Sequence, residues 1–347
     1  MADTEFDLIV IGGGPAGYVG AIRAAQLGMS VACVEKRETL GGTCLNVGCI
    51  PSKALLNASE KYAEAASGHL AGLGIEVGKT KLNLAEMMSG KDKIVSGLTG
   101  GIDHLFKKNK IVRLNGTASL QGQGKVEVSK SGKTQSYSAS RILIATGSVP
   151  TSLPNIEIDE TRIVSSTGAL ALGKLPKSMV VIGAGYIGLE MGTVWSRLGT
   201  KVEVVEYLPR ILPGMDMEVA NKFKTMMTKQ GLSFHLNTAV KSAKPTKTGV
   251  TLALADAKSG EETEMKCDIA LVSVGRKPNT DGLDLEALGV AVTERGQIIV
   301  DEDFETNIEG VFAVGDVIPG PMLAHKAEED AVAAVEIMAG QAGHVDY

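Results

Sequence analysis

A chain of 347 residues is too long for one compact core, so two or three domains are expected. Hydrophobic residues make up 44% and charged residues 22%, the balance of an ordinary globular protein. A net charge of −5 gives no electrostatic case for nucleic acid or an anionic membrane as partner, and no apolar run approaches the ~18 residues of a bilayer span.

The start, MADTEFD, sets Asp3, Glu5 and Asp7 before the first apolar run, the reverse of a secretory leader, and predicts a reducing compartment. FDLIVIG (6–12) reads as a buried strand, GGGPAG (12–17) as a tight turn, YVGAIRAAQLG (18–28) as a helix, and MSVACVE as a second strand ending at Glu35. Residues 54–110 are helix-rich, and 111–149 read as short strands ending in RILIATGSVP. The opening pattern then recurs: KSMVVIG (177–183), GAGYIG (183–188), LEMGTVWSRLG (189–199) and TKVEVVE ending at Glu206. Residues 220–231 predict a helix, and two strand-like runs follow, ending in DIALVSVGRKPN (268–279). The strand GVFAVGD (310–316) and a helix over 323–340 complete the chain. Strands alternating with helices predict an α/β fold of two Rossmann-like dinucleotide-binding domains with parallel central sheets. One βαβ unit is used twice, about 170 residues apart.

Each G-x-G-x-x-G follows a strand, opens a helix and meets an acid 23 residues after its first glycine. Gly12 and Gly183 are expected to make the tight turns, Gly14 and Gly185 to let a pyrophosphate approach the backbone, and Gly17 and Gly188 to let helix and strand pack closely. Free N–H groups at the helix start would hold the phosphates. Glu35 and Glu206 would accept from an adenosine ribose. Two such sites imply two dinucleotides, a resident flavin and an exchanging nicotinamide. A carboxylate at position 206 repels a 2′-phosphate and favours NAD over NADP, although Arg210 lies four residues on.

Two of the four cysteines, Cys44 and Cys49, stand in GGTCLNVGCIPSK (41–53). A zinc site wants four ligands in close pairs; Cys33 and Cys267 are isolated and no histidine is near, so no metal is expected. A redox disulfide and two unlinked core thiols both remain open. Residues i and i+5 of a regular helix are roughly 8–9 Å apart at Cα, whereas a disulfide needs about 4.4–6.8 Å. A bonded pair therefore requires irregular backbone, which Gly48 and Pro51 would supply. Glu190, in the apolar YIGLEMG, and Lys53, in a similarly apolar segment, both read as buried charges. Mutual pairing solves both problems; separate partners are the alternative. His325 reads as an incidental helix-start histidine. Asp316 has a second reading as the N-cap of a short turn.

The two nucleotide motifs, GGTCLNVGCIPSK, ATGS (145–148), VGRKPN (274–279), TNIEGVFAVGD (306–316) and MLAHKAEED (322–330) together resemble the class I pyridine nucleotide–disulfide oxidoreductases over the whole chain. The nearest likeness is to the branch that oxidises protein-bound dihydrolipoyl groups with NAD. The resemblance implies FAD and NAD as cofactors. It implies residues 1–149 as the FAD domain, 150–278 as the NAD domain and 279–347 as a central segment completing the FAD domain. It implies Cys44 as the thiol that exchanges with substrate, Cys49 as the thiol beside the flavin, and Lys53, supported by Glu190, near the flavin's reactive nitrogen. Gly12, Gly14, Gly17, Glu35, Lys36, Gly42, Thr43, Gly116, Thr146, Gly147, Ser148, Asp316 and the segment Met322, Leu323, Ala324 and His325 would line the FAD cleft. Gly183, Gly185, Tyr186, Ile187, Gly188, Glu190, Glu206, Val240 and Gly275 would line the NAD cleft. The implied partner is the lipoyl domain of a 2-oxo acid dehydrogenase complex, in a bacterial cytoplasm or a mitochondrial matrix.

Relatives in that family continue into a C-terminal dimerisation domain whose His-Pro segment supplies a general base across a homodimer interface. None of the five histidines here, at 69, 104, 235, 325 and 344, precedes a proline, and the sequence stops at HVDY. A fragment with little or no dithiol turnover is therefore expected. The other readings are a glutathione or mercuric reductase type, which would use NADPH, and a cofactor-binding module without turnover.

Overall fold

A computed structural model describes residues 4–347, so Asp3 of the acidic start lies outside the described residues. The chain forms two compact units: Met1–Asn46 with Val95–Val149 and Lys277–Tyr347, and Val47–Ile94 with Pro150–Arg276. The chain crosses between the units at 46/47, 94/95, 149/150 and 276/277. Residues 47–94, grouped on sequence with the first domain, cluster instead with 150–276. The physical reason is apolar: Leu55, Leu56 and Tyr62 of the helix Cys49–Ala66 pack into the core that contains Trp195, Leu189 and Val181.

In the first unit the parallel strands lie side by side in the order Val112–Asn115, Val31–Glu35, Glu5–Ile11, Lys133–Ile144 and Val311–Ala313. The long strand Lys133–Ile144 serves two layers. Its second half pairs with Glu5–Ile11, and its first half forms an antiparallel ladder with Lys125–Lys130, which pairs in turn with Thr117–Leu120. Alternation along the first strand splits the core. Leu8 and Val10 pack under the helices Pro15–Gln26 and Ala324–Met338, while Ile9 and Ile11 face the antiparallel layer through Val126 and Val128.

The second unit repeats this plan. Leu232–His235, Lys201–Val205, Ser178–Ile182, Ile269–Val272 and Ile163–Val164 form the parallel sheet in that order. Met179 and Val181 face the helix Tyr186–Arg197, and Val180 and Ile182 face an antiparallel layer of Thr238–Pro245, Val250–Asp256 and Glu262–Cys267. The sheet orders match, but the fifth strand follows the fourth in the first unit and precedes the first in the second. Reading 207–279 as one helix and two strand-like runs missed the antiparallel layer. Its strands are partly exposed and rich in Lys, Thr and Glu, with no long apolar run to announce them. The helix expected at 220–231 spans Met217–Lys229, moved forward by Asp216, whose carboxylate accepts from the N–H groups of Glu218 and Val219. Among the described residues, no helix is long and apolar enough to cross a membrane.

Candidate functional site

Both glycine loops sit at the C-terminal end of the central strand of their parallel sheet, Glu5–Ile11 and Ser178–Ile182, where the strand order reverses and open α/β sheets bind ligands. Gly12 and Gly183 hold φ of +106° and +100°. A Cβ on either would stand 2.4 Å from a carbonyl oxygen, of Ala145 in one unit and Ser273 in the other. A Cβ on Gly17 or Gly188 would be 1.7 or 2.6 Å from the carbonyl oxygen of its own unit's first glycine. These four positions are glycine because the protein itself leaves no room. The middle glycines differ: a Cβ on Gly14 meets nothing nearer than Gly42 Cα at 3.6 Å, and one on Gly185 meets nothing within 4 Å. That open space at a helix N-terminus fits a pyrophosphate lying against the backbone.

The closing acids are anchored identically. Glu35 Oε2 accepts from Gly13 N–H at 2.9 Å and its Oε1 from Arg37 N–H at 2.8 Å. Glu206 Oε2 accepts from Ala184 N–H at 2.8 Å and its Oε1 from Leu208 N–H at 2.8 Å. Each carboxylate is thereby oriented, and lone pairs remain for ribose hydroxyls. Gly116 N–H donates to the Glu35 carbonyl at 3.0 Å, which puts Gly116 beside the first loop. Lys36 is exposed beyond Glu35, and Val240 is half-buried on the edge of the second unit's antiparallel layer. Arg210 is engaged elsewhere, donating to the carbonyls of Ile211, Leu212 and Met215.

The strand ends facing the loops also correspond. Ala145-Thr146-Gly147 follows the fourth strand of the first unit, and Ser273-Val274-Gly275 follows that of the second. Thr146 Oγ1 donates to the Asn279 carbonyl at 2.7 Å, and Asn279 returns bonds to the carbonyls of Thr146 and Gly147. Ser148 Oγ donates to Asp316 Oδ2 at 2.5 Å. The N-cap of the 3₁₀ turn Gly315–Val317 is Val314, so the N-cap reading of Asp316 does not hold. Met322 and Leu323 lead into the helix Ala324–Met338, with His325 exposed in its first turn.

The cysteine segment is two helices broken at one residue. Gly42–Val47 carries Thr43 and half-buried Cys44, and Cys49–Ala66 begins with exposed Cys49. Gly48 between them is non-helical at φ −143°, ψ −114°, the irregular backbone that a five-residue pairing requires. The start of the segment is tied to the first nucleotide loop. Gly41 N–H donates to the Gly13 carbonyl at 2.8 Å, and a Cβ on Gly42 would stand 2.5 Å from Gly14 Cα. Asn46, which the sequence reading passed over, donates to the carbonyls of Leu40 and Gly42. Only its place two residues after a candidate cysteine hinted at such a role.

Lys53 Nζ donates to Glu190 Oε1 and Oε2 at 2.8 and 2.9 Å, and buried Ser52 donates to Oε2 at 2.9 Å. The expected pairing is present, but the expected burial is corrected. The Lys53 side chain is 61% exposed and that of Glu190 30%, because the Cys49–Ala66 helix buries Ser52 and Leu55 and turns Lys53 outward. Cys33 and Cys267 are buried, and burial pushes the Cys267 thiol up to about 11 and that of Cys33 higher still, so neither supplies a thiolate. Among the described residues, no group of three or more His, Cys, Asp or Glu side chains stands together as metal ligands.

Residues 6–331 match the family model described as pyridine nucleotide-disulphide oxidoreductase. The chain is 53% identical over 344 residues to a mitochondrial dihydrolipoyl dehydrogenase of Pisum sativum, covering 99% of this chain and 68% of that one. It is 54% identical to a leghemoglobin reductase of Vigna unguiculata, covering 66% of it, and 52% identical to dihydrolipoyl dehydrogenase 3 of Pseudomonas putida, covering 73% of it. Among solved structures, the Cu(II) complex of the HOCl-induced flavoprotein disulfide reductase RclA from Escherichia coli superposes with a TM-score of 0.84 at 26% identity, over 96% of this chain and 70% of that one. The chain thus spans about two thirds of the length of the curated relatives it matches.

Proposed function

The chain belongs to the pyridine nucleotide-disulphide oxidoreductase family, and on that premise we propose that it carries the FAD- and NAD-binding machinery of a dihydrolipoyl dehydrogenase. The observation that carries the reading is the duplicated loop: two glycine turns, each locked by a glutamate and each with an open middle glycine, with the cysteine segment anchored to the first. The first loop takes FAD, with Glu35 on its ribose and Asp316 on its ribityl chain. The second takes NAD. Glu206 disfavours a 2′-phosphate, and Arg210, spent on three backbone carbonyls, is not placed to offset it.

Cys44 and Cys49 form the redox disulfide. A thiolate of the dihydrolipoyl group attacks Cys44 Sγ, the Cys44–Cys49 bond breaks, and Cys49 leaves as thiolate. The second substrate thiol gives up its proton and attacks the substrate sulfur of the mixed disulfide. The cyclic lipoyl disulfide forms and Cys44 leaves as its thiol. Two electrons pass from substrate to the cysteine pair and onward to NAD. FAD, when bound, supplies the two-electron carrier between the thiols and the nicotinamide.

Cys49 is the first residue of an 18-residue helix, where free N–H groups and the helix dipole favour a thiolate. Lys53 lies one turn on, on the same face, and adds an ammonium that Glu190 holds in place. The partner is the lipoyl domain of a 2-oxo acid dehydrogenase complex, in a reducing compartment, and the complete site belongs to a homodimer.

A thiol count tests this. FAD-loaded protein treated with NADH under anaerobic conditions gains two reactive thiols per chain, and Cys44→Ser protein gains none. An unchanged thiol count in flavin-loaded, NADH-treated protein would remove the disulfide from the reading.

A further inference from the structure

Helix Ala324–Met338 carries a charge pair that the proposed chemistry does not use. Lys326 and Asp330 are 2.5 Å apart, with side chains 7% and 0% exposed. A buried pair of this kind adds little stability over apolar residues of the same size, because desolvation offsets the attraction. Its worth lies in what a leucine or methionine could not do. Asp330 Oδ2 also accepts from Gly315 N–H at 3.1 Å, and Oδ1 accepts from the Tyr347 hydroxyl. Gly315 opens the turn Gly315–Val317 at φ +75°, and its N–H has no partner within that turn. The helix packs so closely there that a Cβ on Gly315 would stand 3.0 Å from Ala327 Cβ. The residue after Gly315 is Asp316, whose carboxylate takes the Ser148 hydrogen bond. On the other side, the Lys326 stem lies against the loop entering the helix: a Cβ on Gly320 would be 2.8 Å from Lys326 Cε.

We propose that Asp330, held by Lys326, is a positioning residue for the flavin end of the FAD site. It fixes Gly315, and through it Asp316, against the helix start, while Lys326 fixes the loop that leads to 322–325. One buried pair thus sets the spacing between the two segments of this unit assigned to the ribityl chain and the flavin ring. This inference rests on the flavin assignment of the first unit.

Two double variants separate positioning from stability. Lys326→Met with Asp330→Asn removes both charges but keeps an oxygen for Gly315 N–H. Lys326→Met with Asp330→Leu removes both charges and the acceptor. The Asn apoprotein should melt at or above the wild-type temperature, and the Leu apoprotein somewhat below it, because the Gly315 N–H loses its acceptor. Titration of apoprotein with FAD, followed by flavin fluorescence, should give a Kd within about 2-fold of wild type for the Asn variant and roughly 5- to 20-fold weaker for the Leu variant. Equal FAD affinities for the two variants would overturn the proposal. If the Leu variant does not fold, hydrogen exchange at the Gly315 amide of wild-type apoprotein decides. Slow exchange supports the proposal, and exchange at the rate of an open loop overturns it. Wild-type protein that takes up no FAD would overturn this proposal together with the flavin assignment; wild type that binds FAD while the variants match it removes this one alone.

Discussion

The Lys53 ammonium donates to both carboxylate oxygens of Glu190, at 2.8 and 2.9 Å, from a helix whose first residue is Cys49. With Lys53 mostly exposed, this pair contributes little to stability. Its effect is on where the ammonium sits. Glu190→Gln should lower NADH-driven disulfide reduction roughly 10- to 100-fold while shifting unfolding free energy by less than ~1 kcal/mol. Lys53→Ala should slow electron transfer to the disulfide more than it weakens FAD binding. Stopped-flow flavin kinetics beside a flavin titration read both, and a variant that loses FAD before it loses rate would make Lys53 a structural residue.

Cys44→Ser should abolish dithiol exchange and leave reduction of bound FAD by NADH intact. With its partner gone, Cys49 is left as a thiolate beside oxidised flavin and should add a long-wavelength absorbance band. Normal disulfide exchange in flavin-competent Cys44→Ser protein would reassign the exchanging thiol.

Glu206 holds its own loop through Ala184 N–H and Leu208 N–H. Glu206→Ala should raise the KM for NADH about 10-fold, from the lost ribose and loop bonds together. It should not bring NADPH to the level of wild type with NADH, because Arg210 remains tied to three carbonyls. Steady-state kinetics with both nucleotides check this, and a full switch to NADPH from the single change would contradict it.

Glu203, on the inner strand Lys201–Val205, lies beside Lys201 and beside His235 of the edge strand Leu232–His235. The hydrogen bond from Lys201 holds its carboxyl below the ordinary glutamate range, with His235 adding to the effect against partial burial. A folded-state value lower than the unfolded one stabilises above the unfolded pKa and is lost as pH falls through the folded value. Wild type should therefore melt higher than Glu203→Gln near neutral pH, and the gap should close on acidification below ~4.3. Melting curves across that range test it; a gap that widens in acid would reverse the sign.

A polypeptide limited to residues 1–347 should reduce a quinone or dye with NADH far better than it oxidises dihydrolipoamide. Its five histidines include none in the family's His-Pro base motif, and a positioned base is worth ~10²–10⁴-fold in thiol deprotonation. Side-by-side assays of FAD-loaded protein compare the two. Full dithiol turnover would place the base within residues 1–347, with His325 the first to mutate.

The glycine loops, their closing glutamates and the break at Gly48 were legible because each is a local device, fixed by a few adjacent residues. Partners set by tertiary packing were not. Ala145 and Ser273, which floor the two loops, sit at unequal distances along the chain from Gly12 and Gly183, so the repeat was invisible there. Lys326 and Asp330, four apart on a helix, carry no sequence signal of burial; only the packing of that helix on Gly315 buries them. Lys53 and Glu190 failed the other way: apolar neighbours suggested burial, but the helix turns those neighbours inward and the lysine out. Residues 47–94 carry no nucleotide motif, and only the apolar face around Leu55 decides which core they join.

The central claim is that the first loop holds FAD and the second delivers electrons from NADH to it. The direct measurement is the visible spectrum of the purified, FAD-reconstituted protein during anaerobic titration with NADH and, separately, with NADPH. The account predicts one FAD per chain, bleached by NADH at concentrations at least ~10-fold below those needed with NADPH. A protein that takes up no FAD, or whose bound flavin NADH fails to bleach, would contradict it.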